Sequence, residues 1–236
     1  MCKILLGKYS LYNYCNALDI LQGSCLDEWN EVLAALDQFN ISISDIKSPG
    51  GNKSPIPKKL DDLLFPEGWM EARISGTLNV SIEARNKRKG NFKSALDLKI
   101  ENYIDGHNID FIKGKVAFDV EWNSKDQTFD RDLLAMRTYY DCGLISVGII
   151  LTREEELNAV FESLFHTTKK GIESIAKKYG ASTTWMGKLV PRLESRRNGG
   201  CPVLAIGIKQ PCIIDWYEGY VDENREIIIP DDEMDE

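Results

Sequence analysis

No apolar stretch of this 236-residue chain is long enough to cross a membrane; the longest, such as Leu144 to Leu151, have the length of a strand. The N-terminus lacks a basic start followed by an apolar run, so no signal peptide is expected, and a cytoplasmic protein is. Histidine is nearly missing, with only His107 and His166. The six cysteines, Cys2, Cys15, Cys25, Cys142, Cys201 and Cys212, include no C-x2-C pair. That spacing argues against a structural zinc site or a Cys/His nucleophile, and for reduced, mostly buried thiols. Repeats and low-complexity blocks are also absent. What is present is core material: 43% hydrophobic residues with five Trp, nine Tyr and eight Phe suffice for one large domain.

A net charge of −8 argues against a nucleic-acid partner only until it is located. The last seven residues, 230–236, carry five acids, and the rest of the chain holds 32 acids against 29 bases, a net charge of −3. Bases cluster at Arg85, Lys87, Arg88, Lys89 and Lys93, and again at Lys169, Lys170, Lys177, Lys178, Lys188, Arg192, Arg196 and Arg197. Such runs can contact phosphates even in an acidic protein, or simply be solvated faces.

The Pro/Gly-rich stretch Ser48 to Pro57 reads as a linker between an N-terminal helical and loop subdomain (1–57) and a core (58–220), with an acidic tail (221–236) expected to be mobile. Ahead of it, Trp29, Val32, Leu33 and Leu36 mark an amphipathic helix over 26–39. Beyond it the pattern predicts a short helix over 58–65, a strand over 72–82, a basic loop over 85–90 and a strand over 116–122. A helix over 129–140 capped by Thr128 follows, then a doubly buried strand over 144–151 and helices over 153–165 and 171–179. The polar Ala181 to Thr184 precedes a helix running to about Arg197, interrupted by Pro191, and a last strand spans 202–208. This alternation predicts an α/β core, a central mixed β-sheet flanked by helices.

The chemistry concentrates in Ile109-Asp-Phe-Ile-Lys-Gly-Lys-Val-Ala-Phe-Asp-Val-Glu-Trp122. Side chains alternate across a sheet, so Asp119 and Glu121 share one face of the strand while Phe118, Val120 and Trp122 point into the opposite layer. Like charges this close repel unless a cation lies between them, and Mg²⁺ takes carboxylate and carbonyl oxygens while keeping several waters, as in-line attack on a phosphodiester requires. The competing reading makes these acids the wet face of an edge strand, compensated by Lys113, Lys115 and Lys125.

The segments from Asp110 to Ile208 resemble the BglII/BstYI family of type II restriction endonucleases, within the PD-(D/E)XK nuclease superfamily. The resemblance lies in the order of 109–122, Asp130-Arg-Asp-Leu-Leu, Ile145-Ser-Val-Gly-Ile-Ile, Tyr179-Gly-Ala-Ser-Thr-Thr and Asn198-Gly-Gly-Cys-Pro-Val-Leu-Ala-Ile-Gly-Ile. It implies a restriction-endonuclease-like core and Mg²⁺-dependent double-strand cleavage of DNA at a short palindrome, leaving 5′-phosphates. Asp110 and Asp119, with the Val120 carbonyl, take the metal-binding places. Glu121 stands where the superfamily usually has Lys and close relatives Gln, an acid similar to that of BamHI, and acts either as general base or as a further ligand. Glu71 is a further candidate acid from a nearby helix. The resemblance also implies a homodimer on double-stranded DNA, no membrane partner, and a cognate DNA methyltransferase in the same host. Groove contacts are expected from Asn123, Ser124, Lys125, Ser182, Thr183, Thr184 and Lys188, although helix capping accounts for Ser182 to Thr184 equally well. Two rivals remain open: a structure-specific or repair nuclease of the same superfamily, and a non-cutting DNA-binding module.

Overall fold

A computed structural model describes residues 7–48, 54–168 and 171–225. Cys2, Lys169, Lys170 and the acidic stretch 230–236 lie outside the described residues, as does the middle of the linker, 49–53. Six strands form one mixed sheet: β1 (Tyr9–Tyr14), β2 (Met70–Ala84), β3 (Lys93–Lys113), β4 (Val116–Glu121), β5 (Val147–Arg153) and β8 (Val203–Ile208), in the order β1-β8-β5-β4-β3-β2. The three central strands β4, β5 and β8 run parallel, and β1 and the β2/β3 hairpin join antiparallel at the two sides. Every residue of β4, β5 and β8 is buried. Strands covered on both faces read as continuous apolar runs.

One layer holds α1 (Ala17–Gly23), α2 (Leu26–Gln38), α3 (Ile43–Lys47), α4 (Pro55–Leu64) and α6 (Leu157–Ser163), packed on Phe118, Val120, Trp122, Ile149, Leu151 and Leu204. The other holds α5 (Thr128–Asp141) and α7 (Met186–Glu194), packed on Ala117, Ile150, Val203 and Ala205. Each fully buried large side chain contributes about 1.5–3 kcal/mol by leaving water. Gly148 of β5 brings α5 close, since a Cβ there would stand 2.4 Å from Met136 Sδ.

Several local expectations change. The helix expected at 58–65 starts at Pro55, because Ser54 accepts from the Ile56 N–H and proline suits a first helical turn, where its missing N–H costs nothing. Thr128 is the first helical residue, with no side-chain cap. The residues expected to form a helix over 171–179 instead form strand β7 (Gly171–Ser174), paired with β6 (Phe165–Thr168), followed by a 3-10 turn. The expected helix over 153–165 shortens to α6, because Arg153 belongs to β5 and Phe165 to β6. Pro191 lies inside α7, which ends at Glu194. Of the five cysteines described, Cys25, Cys201 and Cys212 are buried and Cys15 and Cys142 are exposed; all five are free.

Asp222, placed by sequence in the acidic tail, is fully buried. It accepts from the Phe165 N–H at 3.0 Å and pairs with Lys47 at 2.6 Å, joining the C-terminal stretch to α3 and β6. Asp222→Ala leaves that amide and ammonium without their acceptor and is expected to lower stability by about 3 kcal/mol, read as a fall in the denaturation midpoint. An unchanged midpoint would show that this contact stabilises nothing.

Candidate active site

β3 and β4 meet antiparallel, with Phe111 opposite Phe118. One step further the ladder gives way to side chains: the Asp110 N–H donates to Asp119 Oδ1 at 2.8 Å, and the Val120 N–H donates to Asp110 Oδ2 at 3.0 Å. The two carboxylates are thereby fixed by backbone donors rather than by long flexible partners. Glu121 shares the Asp119 face, the one packed toward α5, whereas Phe118, Val120 and Trp122 enter the other layer. The wet-edge reading is overturned, because β4 lies between β3 and β5 and all its residues are buried. Two of its three proposed counter-ions also point elsewhere: Lys113 pairs with Glu31 at 2.5 Å, and Lys115 donates to the Gly143 carbonyl at 2.7 Å.

α5 brings a carboxylate that the sequence reading passed over. Asp132 is 2% exposed, and the Arg131 guanidinium beside it lies 3.2 Å from Asp132 and 3.9 Å from Glu121. Asp130-Arg-Asp-Leu-Leu is among the segments that carry the resemblance, but nothing in its spacing singles out Asp132 as a partner of the β4 acids. Burial, then the neighbouring Asp132 and Asp110 charges, hold the Asp119 carboxyl well above its ordinary range. Burial and Asp132 likewise push Glu121 to about 8. Burial also raises Asp132, to about 6, against the opposing pull of Arg131. Glu71, expected on a helix, lies on exposed β2 and accepts from Asn108 at 3.3 Å.

Three buried carboxylate oxygens here, Asp119 Oδ2, Glu121 Oε2 and Asp132 Oδ2, have no hydrogen-bond donor. Orphaned acceptors beside one shared guanidinium are what a cation would satisfy. Among the described residues, no group of three or more His, Cys, Asp or Glu side chains closes into a metal cage. A divalent ion at this place would be held by one or two carboxylates and backbone oxygen and would keep several waters.

The end of β4 is braced from behind. Trp122 Nε1 donates to the Tyr179 hydroxyl at 3.1 Å, which donates to the Ile46 carbonyl at 3.2 Å, while Phe161 stacks on Tyr179 at 4.1 Å. Thr152 of β5 donates to the Glu121 carbonyl at 2.7 Å. Next to it Arg153, 1% exposed, donates to the Tyr179 carbonyl and the Thr183 hydroxyl. The two segments expected to reach a groove are joined: Lys125 bridges antiparallel to Thr183, Asp126 N–H donates to the Ser182 carbonyl, and Thr184 N–H donates to the Ser124 carbonyl. Ser124, Lys125 and Ser182 are exposed on this paired loop. Thr184 is fully buried and offers nothing to a groove in this arrangement. Asn123 donates to the Lys178 carbonyl, Thr183 to the Gly180 carbonyl, and Lys188 is half-buried on α7.

A profile of the family described as Restriction endonuclease BglII/BglIII matches residues 9–208, all six strands of the sheet included. The chain belongs to the BglII/BglIII restriction endonuclease family. The mixed sheet flanked by helices is the restriction-endonuclease-like fold expected of it. As a member of the BglII/BglIII family the protein is a site-specific deoxyribonuclease, a hydrolase that binds DNA. A search of curated proteins finds no match. Among the described residues no helix is long and apolar enough to cross a membrane.

Proposed function

We propose that this BglII/BglIII-family enzyme is a type II, Mg²⁺-dependent restriction endonuclease that hydrolyses both strands of a short palindromic DNA site and leaves 5′-phosphates. The observation that carries the chemistry is the set of donor-less buried carboxylate oxygens at the end of β4. Asp110, Asp119 and the Val120 carbonyl would hold the cation, which when bound supplies charge neutralisation at the scissile phosphate and acidifies the attacking water. Asp110, the more exposed of the two acids, faces the solvent side from which a phosphate arrives. Burial and the Asp132 charge raise Glu121 in the metal-free site, and a bound cation beside it would favour the ionised form that accepts the proton of that water. Arg131 keeps the Glu121 and Asp132 charges together without occupying the Asp119 oxygen.

Ser124, Lys125 and Ser182, on the paired loop directly beyond β4, are the side chains offered to the DNA groove. A homodimer places two such sites across a two-fold axis, which makes a palindrome the natural target, and a cognate methyltransferase would protect host DNA. The test is incubation of the purified protein with unmethylated phage-sized duplex DNA, with and without Mg²⁺, followed by sequencing of the new ends. Discrete Mg²⁺-dependent fragments that share one palindrome are expected. Intact DNA despite binding would overturn the reading in favour of a non-cutting module, and cleavage confined to flaps or junctions in favour of a structure-specific nuclease.

A further inference from the structure

The residues read from sequence as a strand and a basic loop form an arm. β2 and β3 pair from Met70 opposite Ile112 to Ala84 opposite Lys93, far longer than the six- or seven-residue strands beside them. Ile74 and Ile109 are buried at its root, whereas every residue from 79 to 103 is exposed. Leu78 faces Ile100, Val80 faces Leu98 and Ile82 faces Leu96, and such apolar cross-strand pairs give a two-stranded ribbon its cohesion without a covering layer. The register slips near Gly76, where β3 carries extra residues, and Asn102 and Gly106 take φ of 53° and 50°. Bulges of this kind bend a ribbon. A Cβ at Gly106 would stand 2.3 Å from Arg73 Nε, so glycine lets the Arg73 side chain lie across this bend.

Direction decides what the arm can meet. β3 is antiparallel to β4 and Asp110 is bonded to Asp119, so β3, followed back toward Lys93, continues past the C-terminal end of β4. The arm thus leaves the sheet at the end that carries the carboxylates. From Arg73, opposite Asn108, to Ala84, opposite Lys93, it extends on the order of 36 Å at about 3.3 Å per residue. Its tip holds Arg85, Lys87, Arg88, Lys89 and Lys93 against the single acid Glu83 in residues 83–93. None of these five forms an ion pair among the described residues. By contrast, Arg192 and Arg197 are tied to Asp130. Arg85 is held over the exposed Phe92 ring at 4.7 Å, which fixes the guanidinium at the surface.

We propose that the tip of this arm is a second DNA contact, gripping backbone phosphates outside the sequence that is cut. It rests on the reading above that DNA is cleaved at the end of β4. A concentrated, unpaired positive charge on an otherwise acidic chain is complementary to a polyanion, and duplex DNA presents a phosphate every 3.4 Å along each strand, so a reach of about 36 Å covers roughly 10 base pairs. The contact is electrostatic and reads no bases.

The test uses the full chain carrying R85S, K87S, R88S and K89S together, all exposed positions away from the carboxylates. Binding is measured with Ca²⁺ in place of Mg²⁺ to a 14-base-pair and a 60-base-pair duplex, each with the mapped cleavage site at its centre, or of random sequence if no site is found. The wild type is expected to favour the long duplex, and the variant to lose about 30-fold on it, with a shallower salt dependence and an unchanged affinity for the short one. Equal losses on both duplexes, no loss at all, or a change only in self-association by sedimentation would overturn the arm contact. Failure of the wild type to cleave any DNA would overturn the proposed function instead, because the length dependence of binding is read without cleavage.

Discussion

Asp119→Asn is expected to abolish DNA cleavage by at least about 1,000-fold, roughly 4 kcal/mol of transition-state stabilisation, while folding and DNA binding survive. The amide keeps the shape and the oxygen that accepts from the Asp110 N–H, so the β3/β4 junction retains its local hydrogen bond. It removes the charge on the Oδ2 side, the buried oxygen with no donor, where a divalent ion would bind. On folding without metal, Asp119 must either take up a proton or be buried beside Asp132, Asp110 and Glu121; the amide avoids that cost, and the variant is expected to melt at or above the wild type in EDTA. The pairing of lost cleavage with undiminished apo stability separates a functional carboxylate from a structural one. Full cleavage by Asp119→Asn would remove the assigned site, and a lower melting point in EDTA would show that the charge stabilises the fold.

Much of the sheet was legible because its strands follow simple periodicities. Val147 to Leu151 is apolar on both faces and β4 alternates; both strands are present, but the one expected over 144–151 runs from Val147 to Arg153, and the one expected over 116–122 ends at Glu121. The face shared by Asp119 and Glu121 follows from a period of two and needs no tertiary knowledge. What was not legible depends on contacts distant in sequence. Asp132 joins Glu121 only because Gly148 lets α5 approach the sheet. Gly171 to Ser174 became a strand because Phe165 to Thr168 offered it a partner, a tertiary preference that a helix-like local composition does not reveal. Thr184 looked like a groove contact, but pairing of its backbone with Ser124 turns it inward. The arm was half visible: the strand pattern of β2 and the basic loop were read, while β3 was missed altogether, because extra residues near Asn102 and Gly106 break its alternation.

Without a divalent ion, stability is expected to fall as pH rises from about 5 to 8, and Mg²⁺ is expected to reverse much of that fall. Glu121 and Asp132, with ordinary values near 4.5 and 4, are held at about 8 and about 6 in the folded chain, and Asp119 is raised as well. A raised carboxyl keeps its proton when folded and releases it when unfolded, so the unfolded chain gains relative stability as pH climbs from the ordinary value, and the full cost is reached above the folded one. Asp45, Asp130 and Asp222 are shifted down and oppose this only in acid, below the ordinary carboxylate range. A cation requires the ionised carboxylates, so its stabilisation grows over the same window, reaching about 3 kcal/mol at roughly 100 times its Kd. Thermal melting between pH 5 and 8.5, in EDTA and in Mg²⁺, reads both effects, and Asp119→Asn should flatten the EDTA curve and shrink the Mg²⁺ shift. An EDTA melting point that does not change with pH would show that the carboxylates titrate normally. A Mg²⁺ shift of the same size in Asp119→Asn would place the ion elsewhere on the chain.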